Sequence, residues 1–407
     1  MSIDRQGLSR LACRCALLAA ILAACGIGLP PIAVASDFVF SPTLELFLFK
    51  DGNPNVVGSD PVSQDVARAQ LGLEFGTLTP RTKWELDYFL FHENYRDEQV
   101  LDNTGHRLYT TLRHDFSRRS DMTARLYGTR TQRQVIQRET IDVPDSLVPR
   151  TFINRAALDV NGRVDFGARN FMTWLAGGSL QHYEETPEVQ YNDSDQFLVG
   201  AGWGREITRR SSVGLAYVYR QISYETTLGV DTHTLAITTD YDIGEKTTLR
   251  GALGVVQLQR EDGESDSTVS FNFGVRQELD RYNDLRTGLR RVITPGFGIG
   301  GATLDEGGYV GWRFRRSRLW WVDINATYWH RELVGTEGTQ GTEGFRTRSA
   351  VWWTPLNYLS FAVFHVYTNQ NSLSSTGSSS DTDYNTGGFS VLWEILGNKY
   401  GGLRRGR

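Results

Sequence analysis

Residues 319–329 read Leu319-Trp320-Trp321-Val322-Asp323-Ile324-Asn325-Ala326-Thr327-Tyr328-Trp329. Trp320, Val322, Ile324, Ala326 and Tyr328 fall on one side of an extended chain. Asp323, Asn325 and Thr327 fall on the other, because successive side chains of a strand point to opposite faces. One face suits hydrocarbon and the other suits water. The same period of two recurs throughout the chain after residue 35. Ala67, Ala69, Leu71, Leu73 and Phe75 alternate with Arg68, Gln70, Gly72 and Glu74. Trp84, Leu86, Tyr88 and Leu90 alternate with Lys83, Glu85 and Asp87. Val269, Phe271, Phe273 and Val275 alternate with Ser270, Asn272, Gly274 and Arg276. Near the end, Phe389, Val391, Trp393 and Ile395 alternate with Ser390, Leu392 and Glu394.

Tight, charged turns punctuate these segments at nearly even intervals. They centre near Thr79, Arg119, Asp165, Arg210, Glu245, Arg281, Arg316 and Pro355. Longer polar loops alternate with them, over residues 50–64, 92–105, 135–150, 184–195, 224–232, 259–267, 294–305, 331–343 and 369–384. Eight turns and nine loops imply eighteen strands, an even number as a single-chain bacterial outer-membrane barrel requires. The expected fold is all-β: a transmembrane antiparallel barrel of about 18 strands over residues 36–396, with short periplasmic turns and longer extracellular loops. A soluble propeller has repeats of similar length, but its strands would not keep Trp and Tyr at one parity.

The N-terminus reads as a signal peptide over residues 1–35. Arg5, Arg10 and Arg14 supply positive charge, residues 16–28 are apolar, and Ala33-Val34-Ala35 offers small residues for cleavage. Leu22-Ala23-Ala24-Cys25-Gly26 also matches a lipobox, which would lipidate Cys25. The apolar stretch that follows it favours ordinary cleavage. Cys13, Cys15 and Cys25 are the only cysteines, so the chain beyond the leader has no disulfide, thiol nucleophile or thiolate ligand. Losing Asp4 and the three arginines with the leader takes the net charge from −4 to −6. That balance does not point to nucleic acid. No apolar run beyond the leader is long enough for a spanning helix.

Catalytic motifs are absent: there is no nucleophile elbow, zinc-binding H-E-x-x-H, phosphate loop or cysteine pair. The seven histidines (His92, His106, His114, His182, His233, His330 and His365) are scattered. An enzyme is not expected, nor is a metal or cofactor.

A charge facing lipid at the bilayer midplane costs about 2–4 kcal/mol, so charged side chains sort to the lumen. Parity turns Arg107, Tyr109, Arg113, Arg125 and Tyr127 inward. It does the same for Arg276, Arg286, Arg290, Arg313, Asp323, Arg346 and Arg348. Carboxylates that could pair with them are Glu74, Glu85, Asp87, Asp115, Asp159, Asp240 and Asp242. Such a wall could bind sugar hydroxyls or uronates, or it could be a salt-bridge web that stiffens the barrel. Trp84, Trp312, Trp320, Tyr328, Trp353 and Trp393 point outward as membrane-interface aromatics.

Eighteen strands enclose an aqueous bore. No loop in this reading is long enough to fold inward and no plug domain precedes the first strand. The expected lumen is therefore open, or narrowed only by arginines, tyrosines and inward tryptophans such as Trp321. A polymer conduit follows from that width.

The leader ending Ala33-Val34-Ala35, the turns Ser117-Arg118-Arg119-Ser120 and Thr208-Arg209-Arg210-Ser211, and the closing Gly388-Phe389-Ser390-Val391-Leu392-Trp393 resemble the β-barrel porin 2 family. The likeness is greatest to members associated with exosortase and extracellular-polysaccharide gene clusters. It is one of pattern over nearly the whole chain, and it brings no functional residues by position. It implies an outer-membrane barrel that works with a periplasmic polysaccharide-export protein and is placed by the barrel-insertion machinery in outer-membrane lipid. One departure is the basic tail over 397–407, where such barrels usually end in an aromatic residue. The expected function is passive exopolysaccharide export. The alternatives are a general diffusion porin for small solutes, and a structural or adhesion barrel acting through outer loops such as the serine-rich 371–380.

Overall fold

The computed structural model describes residues 37–52, 63–97, 99–132, 151–184, 192–295, 301–317, 319–334, 341–373 and 381–395. The expected leader, lipobox and basic tail lie outside these residues, as do the loop at 135–150 and parts of those at 50–64, 184–195, 294–305, 331–343 and 369–384.

The first six strands are β1 (Asp37–Asp51), β2 (Gln64–Leu78), β3 (Thr82–Tyr95), β4 (Asn103–Ser117), β5 (Ser120–Thr131) and β6 (Ile153–Phe166). Next come β7 (Asn170–Tyr183), β8 (Ser194–Thr208), β9 (Ser211–Tyr224), β10 (Val230–Ile243), β11 (Thr247–Arg260) and β12 (Ser265–Glu278). The last six are β13 (Asn283–Pro295), β14 (Ala302–Phe314), β15 (Trp320–Leu333), β16 (Gly341–Leu356), β17 (Leu359–Leu373) and β18 (Asp381–Glu394). A 3-10 turn, Gln99–Leu101, lies between β3 and β4. Each strand pairs antiparallel with the next, and β1 pairs with β18, so the eighteen-stranded sheet closes on itself. Closure leaves no edge, which is what a sheet needs where no water can satisfy free backbone groups.

Strands run further than the apolar pattern suggests. The polar loops expected at 224–232 and 259–267 shrink to 225–229 and 261–264. There His233 pairs with Gln257 and Asp231 with Gln259, because backbone bonding continues where the outer face has already turned polar. The turns expected at Asp165 and Pro355 also come later, since both residues still belong to strands.

Two faces follow from the pairing. Leu235, Ile237, Leu253, Val255, Leu289 and Val363 are each more than half exposed, and they share one face of the sheet. The opposite face reaches between strands that are not neighbours. Arg220 on β9 touches Ile293 on β13, with β10, β11 and β12 between them. A contact that skips three strands has to cross the bore, so that face is the interior.

A closed, even-numbered antiparallel barrel with tight turns at one end and an apolar exterior is built for the bacterial outer membrane. The protein is an outer-membrane β-barrel of a Gram-negative bacterium. Among the described residues no helix is long and apolar enough to cross a membrane, and the strands make the crossing.

The interior is not uniformly polar. Phe49, Val66, Tyr95, Ala350, Trp352 and Phe364 form a buried apolar pad on the inner wall, joined by Leu101 from the 3-10 turn. Trp321 and Trp352 stack within it at 5.5 Å. Trp329 also points inward and is 1 % exposed. Trp329 and Trp352 thus join Tyr109, Tyr127 and Trp321, the aromatics expected to face inward. Trp329 lies inside because Gly344 opposite it has no side chain: a Cβ there would stand 2.2 Å from the indole.

Candidate functional site

The bore is lined by strand-borne side chains whose positions follow from register. On one wall, Arg107 sits opposite Thr129, Tyr109 opposite Tyr127, and Arg113 opposite Thr123. The Tyr109 and Tyr127 rings are 4.9 Å apart, and Arg107 donates to Gln70 Oε1 at 3.2 Å. Gln70 also accepts from Arg68, which is held by Glu93 at 3.5 Å. Arg113 pairs with Asp115, and Arg125 stands across from Asp159.

The second wall, β12 to β16, carries a column of arginines. Arg276 and Arg286 face each other across β12 and β13, and both bond Asp284, at 3.2 and 2.9 Å. Arg313 reaches Asp323 at 2.7 Å. Arg290 binds Asp305 at 2.6 Å, and Arg331 approaches the same carboxylate oxygen at 3.6 Å. Arg346 lies opposite Thr327 and Arg348 opposite Asn325. Gly274, Gly288, Gly307 and Gly311 occupy neighbouring register positions, so long side chains from adjoining strands can lie along the wall. Arg331 carries no mark in the sequence beyond its inward parity, and it was not among the expected lumen residues.

Among the aromatics expected at the membrane interface, Trp320, Tyr328, Trp353 and Trp393 are exposed on the outer face. Trp320 stacks on Trp353 at 5.8 Å. Trp84 and Trp312 are half-buried, donating Nε1 to Thr110 at 2.9 Å and to Asn283 at 3.0 Å. No group of His, Cys, Asp and Glu among the described residues is arranged to hold a metal ion.

The expectation that nothing folds into the bore is corrected by the β13–β14 hairpin. The ladder between β12 and β13 ends at Phe271 and Arg291, while residues 265–270 of β12 pair only with β11. Beyond that point the hairpin leaves the wall. Ile293 has the parity of lipid-facing Leu289, and Ala302 has that of Val310, yet they are only 5 % and 1 % exposed. Both pack against Ile222, Val230, Val256 and Leu258 from the inner face of β9, β10 and β11. Outer-face residues meeting inner-face residues means that the hairpin has bent over the mouth. Two hydrogen bonds fasten it: Arg220 Nη1 donates to the Ile293 carbonyl and the Tyr224 hydroxyl donates to that of Gly301. Gly301 takes φ +87°, a left-handed conformation that glycine adopts at little cost.

Sequence reading missed this because residues 283–314 alternate like any other hairpin. A signal was nonetheless present. Arg291 and Glu306 pair at 2.8 Å on the outer parity, which marks the end of the lipid zone. Ile293 and Leu304 beyond them are apolar where only water would meet an upright strand.

No protein-family model and no curated protein matches the chain. Several solved structures are similar to it in fold. OccK2 (OpdF) of Pseudomonas aeruginosa is 14 % identical over 89 % of this chain and 99 % of its own, with a TM-score of 0.47. The outer membrane protein opdK of the same organism is 13 % identical over 89 % and 99 %, at 0.44. OccAB4 of Acinetobacter baumannii is 9 % identical over 88 % and 98 %, at 0.43.

Proposed function

We propose that the barrel is a passive diffusion channel for small polar solutes, with a preference for anions. The β13–β14 hairpin carries this reading, because it covers part of the mouth and is held there by contacts from β9. A polymer conduit was expected on the ground that nothing narrows the bore, and the hairpin removes that ground. A periplasmic polysaccharide-export partner belongs to the conduit reading alone. The anion preference rests on the arginine column, where Arg276, Arg286, Arg290, Arg313 and Arg331 line one wall beside Glu278, Asp284, Asp305 and Asp323. Fixed positive charge along a narrow low-dielectric bore raises the local concentration of anions.

The test is reconstitution of the protein in planar bilayers and in liposomes. Reversal potentials under a potassium chloride gradient should report chloride as the more permeant ion. Liposome swelling should be fast with monosaccharides and fall steeply with oligosaccharides. Equal swelling rates for long and short sugars would restore the conduit, and no flux at all would leave a barrel that acts through its outer loops.

A further inference from the structure

The tight turns at the periplasmic end carry a charge that the bore does not use. From Arg81 to Arg316, seven consecutive turns each present at least one exposed lysine or arginine, and Glu245 and Asp280 are the only acids among their described residues. The opposite end has the reverse sign. Its described residues between strands hold Arg96 against acids such as Asp97, Asp102, Glu184, Glu225 and Glu261. Two of the basic turns share one build. In Ser117-Arg118-Arg119-Ser120 the two hydroxyls bond at 2.8 Å, and Ser117 Oγ accepts from the Arg119 amide at 3.0 Å. In Thr208-Arg209-Arg210-Ser211 the same contacts measure 2.7 and 3.1 Å, and a register shift precedes each turn at the same place. Acids at the neighbouring strand ends have other partners: Arg113 takes Asp115, and Arg163 takes Asp165 and Glu206. Their contribution to the turns is through the backbone. The Asp165 amide donates to the Arg119 carbonyl at 2.7 Å and the Asp242 amide to the Arg210 carbonyl at 2.8 Å, which fixes each turn to the next hairpin.

Depth selects the partner. Leu78, Phe166, Ile207 and Ile243 have outward parity, lie within three residues of a turn cation and are each at least 40 % exposed. An apolar face that runs to the foot of the turns brings hydrocarbon to that level, so the cations stand where lipid phosphates begin. A cell-wall polymer would instead meet turns raised clear of the apolar face by polar strand ends. We propose that Arg118-Arg119 and Arg209-Arg210 bind the phosphates of anionic phospholipids in the periplasmic leaflet, as the strongest points of a basic collar. A guanidinium fork takes two phosphate oxygens at once, and a turn closed by its own hydroxyls needs little ordering to present it. Zwitterionic lipids carry an ammonium beside the phosphate and are held less. Neighbouring strands lie about 4.8 Å apart, so successive turns stand about 10 Å apart across the strands and leave each room for a headgroup of its own.

Spin-labelled phosphatidylglycerol and phosphatidylcholine test this, each added to the refolded barrel in phosphatidylcholine vesicles, with the fraction of label immobilised at the protein surface as the readout. The unaltered protein should hold phosphatidylglycerol several-fold more strongly, since each basic residue near an anionic headgroup is worth about fivefold. Concentrated salt should remove the difference. Arg118→Gln, Arg119→Gln, Arg209→Gln and Arg210→Gln together should abolish most of the preference. Either pair alone, a milder change to the fold, should abolish about half as much. Arg96→Gln, at the opposite end, should leave it whole. Equal retention of the two lipids by the unaltered protein would overturn the proposal, as would a preference that survives both the paired and the fourfold replacements. Sedimentation with purified peptidoglycan that depends on these arginines, without any lipid preference, would give the turns to the cell wall and overturn it as well.

Discussion

The hydroxyl of Tyr224 donates to the carbonyl oxygen of Gly301, so the end of β9 holds a hairpin rooted four strands further along the wall. The phenyl ring would fit equally well without the hydroxyl. Tyr224→Phe therefore removes one hydrogen bond worth about 1 kcal/mol and leaves the barrel untouched. The expected result is several-fold faster proteolysis within residues 291–304, with unchanged folding of the barrel on a heat-modifiability gel. Cleavage at the unaltered rate would mean that the contact does not restrain the hairpin.

Asp305 is the shared acceptor of Arg290 and Arg331 and is 1 % exposed. Asp305→Asn keeps the shape and removes the charge that Arg290 and Arg331 share. Loss of one member of a buried ion pair typically costs about 3–5 kcal/mol. The urea midpoint of the refolded barrel should fall accordingly. Asp240→Asn serves as the control, because Asp240 pairs with Arg250 where both side chains are well exposed, and exposed pairs contribute little.

Acid should act first at a turn. Asp280 lies between β12 and β13, and its Oδ1 accepts from the Tyr282 and Asn283 amides at 2.6 and 3.0 Å. Its Oδ2 accepts from Asn283 Nδ2 at 2.7 Å. These bonds, the Tyr282 amide foremost, hold the carboxyl below its ordinary range. A depressed folded value stabilises the fold above the unfolded pKa of about 3.9, and that contribution is lost as the pH falls through the folded value. Unfolding midpoints of the unaltered protein and of Asp280→Ala should therefore differ at neutral pH and converge below about pH 4. A gap that stays constant down to pH 2 would show that ionisation of this carboxyl does not matter.

The barrel was legible because lipid and water impose opposite demands on alternate residues. Phe389, Val391 and Trp393 against Ser390 show that sorting directly, as do the pairs that Leu71 and Arg68 make with their neighbours. The hairpin was not legible, since bending a ribbon over the mouth changes no residue's place in the alternation. Only the context of Ile293 differs from that of Leu289. The apolar pad was hidden for a related reason. Phe47, Phe49 and Phe364 occupy inner parity, where a reading based on solvation expects polar groups, and they are satisfied by one another across strands. Alternation shows which wall a side chain faces, but not whether water reaches it.

Adjacent residues in the middle of β11 put the assignment of faces to a direct test. Leu253 is 51 % exposed and pairs with Ile237 and Phe271, all of outer parity. Ala252 is the neighbour on the inner side, opposite Asn272. Leu253→Arg would place a guanidinium in hydrocarbon near the midplane, at a cost of about 2–4 kcal/mol. Ala252→Arg would add the same group to a hydrated wall that already holds Arg250 and Arg276, at little cost to stability. Reversible unfolding from phospholipid vesicles should separate the two variants by roughly that full amount. Ala252→Arg should also increase the preference for chloride, while Leu253→Arg should leave it unchanged. The opposite ranking would reverse the assignment of inside and outside, because residues 252 and 253 cannot share a face of one strand.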